Sequence, residues 1–191
     1  GGDGRKDCAG VKAEKQAVLT AKMAAEQNNS PITGATAFNA LKNAMPKDAI
    51  VVDECWSSSP VLRSILKPGR PFSYFRSRRG GSIGWGLPTA TGVQLGAKDR
   101  KVFAVVGDGS AAWSLQTLWS AARYKLPITY VIVANQIYGQ ARLSRKLMLP
   151  QVGVNDPSPW MDINEPAIEF AKAAESMGVV GTRVSKPHDM A

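Results

Sequence analysis

The chain has 191 residues, enough for one domain of ordinary size and hardly for two. Hydrophobic residues make up 44% and charged residues 20%, a globular balance that excludes an intrinsically disordered chain, and two cysteines are too few for a disulfide scaffold. The net charge is +9, and it is concentrated: between Cys55 and Asn155 fourteen Lys and Arg stand against two acids, Asp99 and Asp108, while 156–191 leans acidic.

In chain order, residues 9–27 are rich in Ala, Lys, Glu and Gln without Gly-Pro interruption beyond Gly10, and predict a weakly amphipathic helix. Asn28-Asn29-Ser30-Pro31 is a stop and turn. A second helix is expected over 33–44, with Ile32, Ala37, Leu41 and Ala44 on one stripe, broken by Pro46. Residues 50–53 form a short apolar strand ending in acids. A helix over 57–66 carries Pro60 in its first turn, where it is tolerated. After the turn at 68–71, residues 72–75 read as a strand. The stretch 80–86 is dense in glycine, and 87–95 reads as a helix.

Residues 101–106 give the clearest strand, ended by Gly107-Asp108-Gly109-Ser110. A helix is expected over 115–126, a strong strand over 128–134 and a helix over 138–147. Residues 150–166 read as a loop, 167–177 as a helix stopped by Gly178, and 179–184 as a last strand. Strands alternate with helices, and the two best strands are apolar throughout rather than alternating. That pattern predicts an α/β fold: an open parallel sheet with helices on both faces.

The basic middle suits nucleic acid, a phosphate-bearing cofactor or a carboxylate substrate. Nucleic acid lacks support: there is no zinc-finger spacing, no RNA-recognition aromatic motif and no basic run longer than two, as at Arg78-Arg79. A solvated basic face is the plain alternative. The apolar runs 102–106 and 128–134 fall far short of the roughly 20 residues that cross a bilayer, so no membrane partner is expected. Cys8 and Cys55 lack a CxxC partner, and His188 alone completes no zinc set, so reduced thiols in a cytoplasmic protein are expected. The chain begins Gly1-Gly2-Asp3 without an initiator Met, and a piece of a longer polypeptide is expected.

Ligands of open parallel sheets bind beyond the carboxyl ends of the strands. Three strand ends draw the eye. At Gly107-Asp108-Gly109-Ser110, two glycines let backbone N–H groups approach an anion, while Asp108 is a hard oxygen ligand for Mg²⁺. Asn135 ends the next strand, and neighbouring strands place their ends about 5 Å apart, so Asp108 and Asn135 can share a cation. The glycine-dense stretch lets backbone lie against a flat ligand. One acid and one amide are too little charge for an all-protein Mg²⁺ cage, and substrate phosphates usually complete such a shell. A diphosphate bridged by Mg²⁺ is therefore the expected ligand.

The pair Gly107-Asp108-Gly109-Ser110 and Asn135 resembles the motif of thiamine-diphosphate-dependent enzymes. The stretch from Gly80 to Gly92, Gly-Gly-Ser-Ile-Gly-Trp-Gly-Leu-Pro-Thr-Ala-Thr-Gly, resembles the segment preceding it in 2-oxo-acid decarboxylases of the benzoylformate decarboxylase kind and in acetolactate synthases. Leu118-Trp119 and Tyr138-Gly139 fit the same order, and the likeness is firm over 48–148. It implies the C-terminal, diphosphate-binding domain over 31–191, short at its C-terminus, with 1–30 as the partly helical tail of a preceding domain.

The resemblance implies thiamine diphosphate and Mg²⁺ as cofactors. Asp108 and Asn135 would give side-chain oxygens to the metal, and Ile137 its carbonyl. Gly107, Gly109, Ser110 and Tyr138 would meet the diphosphate, with Ser57 and Ser58 on its other side. Gly81 would offer its carbonyl to the aminopyrimidine, next to Ser82, and Ile83 would wedge the cofactor into a bent shape. Relatives often have two asparagines where this chain has Ala134-Asn135. Positions near Ser77 and at Gln140, Ala141 and Ser144 are smaller or more polar than an aromatic substrate would suit, and Arg78 or Arg79 could meet a substrate carboxylate.

The family's chemistry starts from a carbanion at the thiazolium carbon, generated with a glutamate of a separate pyrimidine-binding domain. No acid here takes that role; Glu54 falls on the diphosphate side and is left unassigned. The implied partners are a pyrimidine-binding domain of the same or a neighbouring subunit, a homo-oligomeric assembly and a small 2-oxo acid. No decarboxylation by this chain alone is expected. A carboligase of the acetolactate synthase type, or a non-catalytic subunit or remnant that binds a partner, is the alternative. Trp85, Trp113, Trp119, Tyr138 and Trp160 are candidates for a partner surface, with core burial the default for each.

Overall fold

The computed structural model describes residues 4–26, 28–77, 81–149, 151 and 159–190, with the side chains of 4–9 and of 188 and 190 outside the description. The chain forms two compact units. One comprises Gly1–Met45, Pro60–Lys67 and Val184–Ala191; the other comprises Pro46–Ser59 and Pro68–Arg183.

In the first unit, α1 (Gly4–Glu26) is followed by α2 (Gly34–Ala44). The Thr33 hydroxyl caps α2 by accepting from the Thr36 N–H at 3.3 Å, and the Thr36 hydroxyl donates to the Glu26 carbonyl at 3.2 Å, tying the end of α1 to the start of α2. Ala35 and Phe38 are buried on α2, whereas the described part of α1 is mostly exposed, as its weak apolar stripe predicts.

The second unit is built on four strands, β1 (Ile50–Glu54), β2 (Tyr74–Phe75), β3 (Val102–Gly107) and β4 (Ile128–Val133). All pairings are parallel and the order is β2-β1-β3-β4. The open parallel α/β class read from the apolar runs is therefore the observed one. Its helices are α4 (Gly86–Gly96), α5 (Asp108–Ala112), α6 (Thr117–Arg123), α7 (Gly139–Met148) and α8 (Phe170–Ser176), while α3 (Ser59–Leu66) belongs from Pro60 onward to the first unit.

Alternation sorts the strand residues by face. Ile50, Val52, Val102, Ala104 and Val106 gather with Leu87 and Ala90 of α4 into one buried cluster, edged by Ile128, Tyr130 and Ile132 of β4 and by Phe170 of α8. Burying a side chain such as Leu87 contributes about 1.5–3 kcal/mol, so this layer carries much of the unit's stability. Because β1 is followed by β2 on one side and β3 on the other, the chain reverses direction across the sheet between β1 and β3. A crevice at the carboxyl ends of those two strands is where such a sheet offers a ligand site.

The structure departs from the sequence expectations in three elements. Asp108 does not sit in a turn but opens α5, since an acid in the first turn suits the positive end of a helix. The helix expected over 115–126 is reduced to α6, because α5 and a turn through Ser114 use up the preceding residues. The strand expected over 179–184 is absent. Gly178, at φ +83°, turns the chain back, the Val179 N–H donates to the Ala174 carbonyl, and Gly181 lies so close to Ala171 that any Cβ would overlap its carbonyl oxygen. That segment packs along α8 instead of pairing in the sheet, and β4 pairs only with β3 among the described residues.

Candidate active-site cleft

At the end of β3, Gly107 is extended and Asp108 turns into α5, 4% exposed. Its carboxylate accepts from the Gly109 N–H at 2.9 Å and from the Gln136 N–H at 2.5 Å, so the ends of β3 and β4 are joined through this one side chain. Burial pushes the Asp108 carboxyl above the ordinary range, and the N–H groups of Gln136 and Gly109 counter it in part.

After β4 the chain runs exposed through Asn135 and a left-handed Gln136, at φ +60°. The Asn135 side-chain oxygen accepts from the Ile137 N–H at 3.1 Å. This loop is pinned from the far side: the Tyr138 N–H donates to the Met161 carbonyl at 2.8 Å, and the Ile163 N–H to the Gln136 carbonyl at 2.8 Å. Arg142 of α7 adds an ion pair to Asp162 at 2.5 Å. Gly109 is required by close approach, since a Cβ there would stand 2.5 Å from Cε1 of the Tyr138 ring.

Opposite, β1 ends in Asp53 and Glu54, each 1% exposed and directed to opposite faces. Asp53 accepts from the Ser59 hydroxyl at 2.6 Å, the Tyr74 hydroxyl at 2.7 Å and the Cys55 N–H at 3.1 Å, and pairs with Arg76 at 3.6 Å. Arg76 also lies over the Trp56 ring, 5.9 Å from its centroid. Glu54 accepts from the Gly84 N–H at 2.7 Å and the Gly86 N–H at 2.5 Å. Burial raises its carboxyl above the ordinary range, against the opposing pull of those N–H groups.

These ends enclose a cleft of about 300 Å³. Gly107, Asp108, Gly109 and Ser110 line it from β3 and α5; Asn135, Ile137 and Tyr138 from the loop after β4; Ser57 from beyond β1; and Gly81 and Ile83 from the glycine-dense stretch. Of the residues singled out in the sequence, Ser58 and Ser82 do not line it. Gln140, Ala141 and Ser144 do, all on α7. Gly80, Arg78 and Arg79 lie outside the described residues. Glu54, Cys55, Trp56 and Gly139 also line the cleft. The signal for Glu54 was an acid at the end of a fully apolar strand, a costly placement unless backbone donors meet it. Gly139 is close-packed: a Cβ there would stand 3.3 Å from the Ser57 hydroxyl oxygen.

The donor set fits a hard cation with outside oxygens. The Asp108 carboxylate has about four lone-pair positions, two of them engaged by N–H groups, and the Asn135 oxygen has one further position free of the Ile137 N–H. Among the described residues no three His, Cys, Asp or Glu side chains come together as a metal cage, so a cation here draws its remaining ligands from main-chain carbonyls and from the bound molecule.

Residues 57–191 match the family model described as thiamine pyrophosphate enzyme, C-terminal TPP binding domain. The chain is 36% identical over 165 residues to a Mycobacterium tuberculosis protein, IlvX, named as an acetolactate synthase large subunit, covering 84% of this chain and 31% of that one. It is 34% identical over 154 residues to benzoylformate decarboxylase of Pseudomonas aeruginosa, covering 80% and 28%. Among solved structures it is similar to the thiamine diphosphate-dependent 4-hydroxybenzoylformate decarboxylase of Rhodococcus jostii RHA1, with a TM-score of 0.76 and 36% identity over 84% of this chain and 29% of that one. The chain thus spans less than a third of the length of each of these proteins.

Proposed function

Since this chain belongs to the thiamine pyrophosphate enzymes and carries their C-terminal TPP-binding domain, we propose that its cleft binds thiamine diphosphate through Mg²⁺ as part of a 2-oxo-acid decarboxylase of the benzoylformate decarboxylase kind. The observation that carries the reading is the convergence of Asp108, Asn135, Ile137 and Tyr138 on one cleft at the β1–β3 reversal. Residues 31–191 form the binding domain in this reading, and 1–30 the tail of a preceding one.

Asp108 and Asn135 would hold the cation by side-chain oxygens and Ile137 by its carbonyl. Gly107, Gly109, Ser110, Tyr138 and Ser57 would face the diphosphate, Ser57 reaching it from beyond β1. Gly81 and Ile83 would face the organic part, with Ile83, 37% exposed, offering an aliphatic surface. When bound, thiamine diphosphate supplies a thiazolium carbon acidic enough to become the nucleophile toward a 2-oxo acid. The residues of this chain bind and orient; none of its acids at the cleft is free to start the proton relay, since Glu54 is engaged by glycine N–H groups and Asp108 by Gly109 and Gln136. The glutamate that starts it would come from a pyrimidine-binding domain of the same or a neighbouring subunit, in a homo-oligomeric cytoplasmic enzyme. Gln140, Ala141 and Ser144, each smaller or more polar than the lining an aromatic 2-oxo acid would suit, favour a small one.

A carboligase of the acetolactate synthase type is the second reading, favoured by the likeness to the mycobacterial protein. Calorimetric titration tests the cofactor site. Asp108→Ala is expected to abolish Mg²⁺-dependent thiamine-diphosphate binding, and unchanged binding would overturn the metal assignment. The 191-residue chain supplied with cofactor, Mg²⁺ and pyruvate or benzoylformate is expected to release no CO₂. Turnover would show that no outside glutamate is needed.

A further inference from the structure

Glu54 is a fully buried carboxylate with no ion pair among the described residues, a costly arrangement unless strong donors surround it. Its donors come from one place. The Gly84 and Gly86 N–H groups bond its two oxygens, and the Trp85 N–H and Ser110 hydroxyl add to them. Gly86 opens α4, whose N-cap residue, Trp85, supplies no side-chain cap. Glu54 therefore does from β1 what a capping side chain would do locally: it satisfies an orphan N–H at the start of α4 and places negative charge at the positive end of that helix.

The fit is close on both sides. A Cβ on Gly86 would stand 2.7 Å from Glu54 Oε2 and 3.0 Å from Val106 Cγ2, so the loop is held against the strand with no space to spare. Gly84, at φ +87°, is in the left-handed region, and a Cβ there would stand 2.6 Å from that of Trp113. Immediately before this clamp come Gly81 and Ile83, the two residues of the loop that line the cleft.

The geometry points to Glu54 as a positioning residue: it clamps Gly84–Trp85–Gly86 so that Ile83 is presented to the organic part of the cofactor, while the cation and diphosphate are held by other elements. The inference rests on the proposed cofactor site. It separates two binding functions that share one cleft, since Asp108, Asn135 and Ile137 are fixed by the loop after β4 and not by Glu54.

The test uses the native protein and two probes with Mg²⁺: thiamine diphosphate and inorganic diphosphate. In Glu54→Gln an amide NH₂ must face a glycine N–H, so one bond of the clamp is lost. Thiamine-diphosphate affinity is expected to fall about tenfold, the scale of one hydrogen bond to a charged group, with inorganic diphosphate affinity falling far less, since among the diphosphate-facing residues Ser110 alone bonds Glu54. Hydrogen exchange is expected to quicken over residues 81–86 and to stay as it was over 135–139. In an Ile83→Ala background, Glu54→Gln is expected to add little further loss, because the two act in series. Equal weakening of both probes, no weakening of either, or full additivity with Ile83→Ala would overturn the inference. Should Glu54→Gln not fold, Glu54→Asp, which keeps the charge but is one methylene short, is measured in the same way. If the parent protein binds neither probe, the cofactor reading fails, while the exchange over 81–86 still reports on the clamp.

Discussion

Cys55 lines the cleft, yet its chemistry is suppressed. It is 3% exposed, its Sγ lies 3.2 Å from Asp53 Oδ1, and burial together with the Asp53 charge pushes its thiol far up. A raised thiol stays protonated at neutral and mildly alkaline pH, and the protonated form is a poor nucleophile. Cys55 is expected to resist alkylation at pH values where ordinary thiols react and to label only after unfolding. Peptide mass spectrometry with and without denaturant checks this, and rapid labelling of the native chain would contradict the burial. Glu54 and Asp108 shift in the same direction as each other, so the folded chain holds their protons more tightly than the unfolded one. Their contribution to stability is complete at acid pH and is lost as pH rises through their raised values. The proton-linked part of the stability these two cleft carboxylates lend is thus absent at neutral pH.

At the scale of elements, four strands and most helices were legible because burial leaves its mark locally. Runs such as Val102–Gly107 are apolar throughout because both faces are covered. The stripe of Ile32, Ala37, Leu41 and Ala44 predicts α2, but the buried face of that helix is Ala35 and Phe38, and Ala44 is exposed. Residues 179–184 carry a strand-like composition too, but pairing is decided by which sheet edge a segment reaches, and no local pattern records that. The site was legible to the extent that it rests on backbone-shaping residues: Gly107, Asp108, Gly109 and Asn135 sit where a strand must end. Glu54 was not assigned, since its partners are N–H groups 30 and 32 positions along the chain. The layer between α4 and the sheet is the element on which the cleft stands. Leu87, fully buried there, is expected on replacement by Ala to cost about 2–5 kcal/mol, read as a lower urea midpoint. A loss well under that range would mean that α4 is loosely held.

For the whole molecule, the +9 charge acts at a distance on whatever anion approaches. Thiamine diphosphate is expected to associate more slowly as salt rises, because screening shortens the reach of that field to about 10 Å at 0.1 M. Stopped-flow mixing at low and high salt measures it; an unchanged rate would mean that the field plays no part in capture. Trp113, Trp119 and Trp160 are 63%, 59% and 67% exposed, where core burial was the default expectation, while Trp85 packs against the core cluster and Tyr138 lies half-buried over Gly109. No helix among the described residues is long and apolar enough to cross a membrane.

β4 is bonded to β3 on one side only among the described residues, and its outer side carries the donors and acceptors of a six-residue ladder with no rungs. Such an edge is a template that accepts any extended chain of suitable register. No Pro or charged residue interrupts Ile-Thr-Tyr-Val-Ile-Val to discourage it. At high concentration the chain is expected to self-associate through this edge, read by light scattering, and Thr129→Lys, at an exposed position of β4, is expected to reduce it.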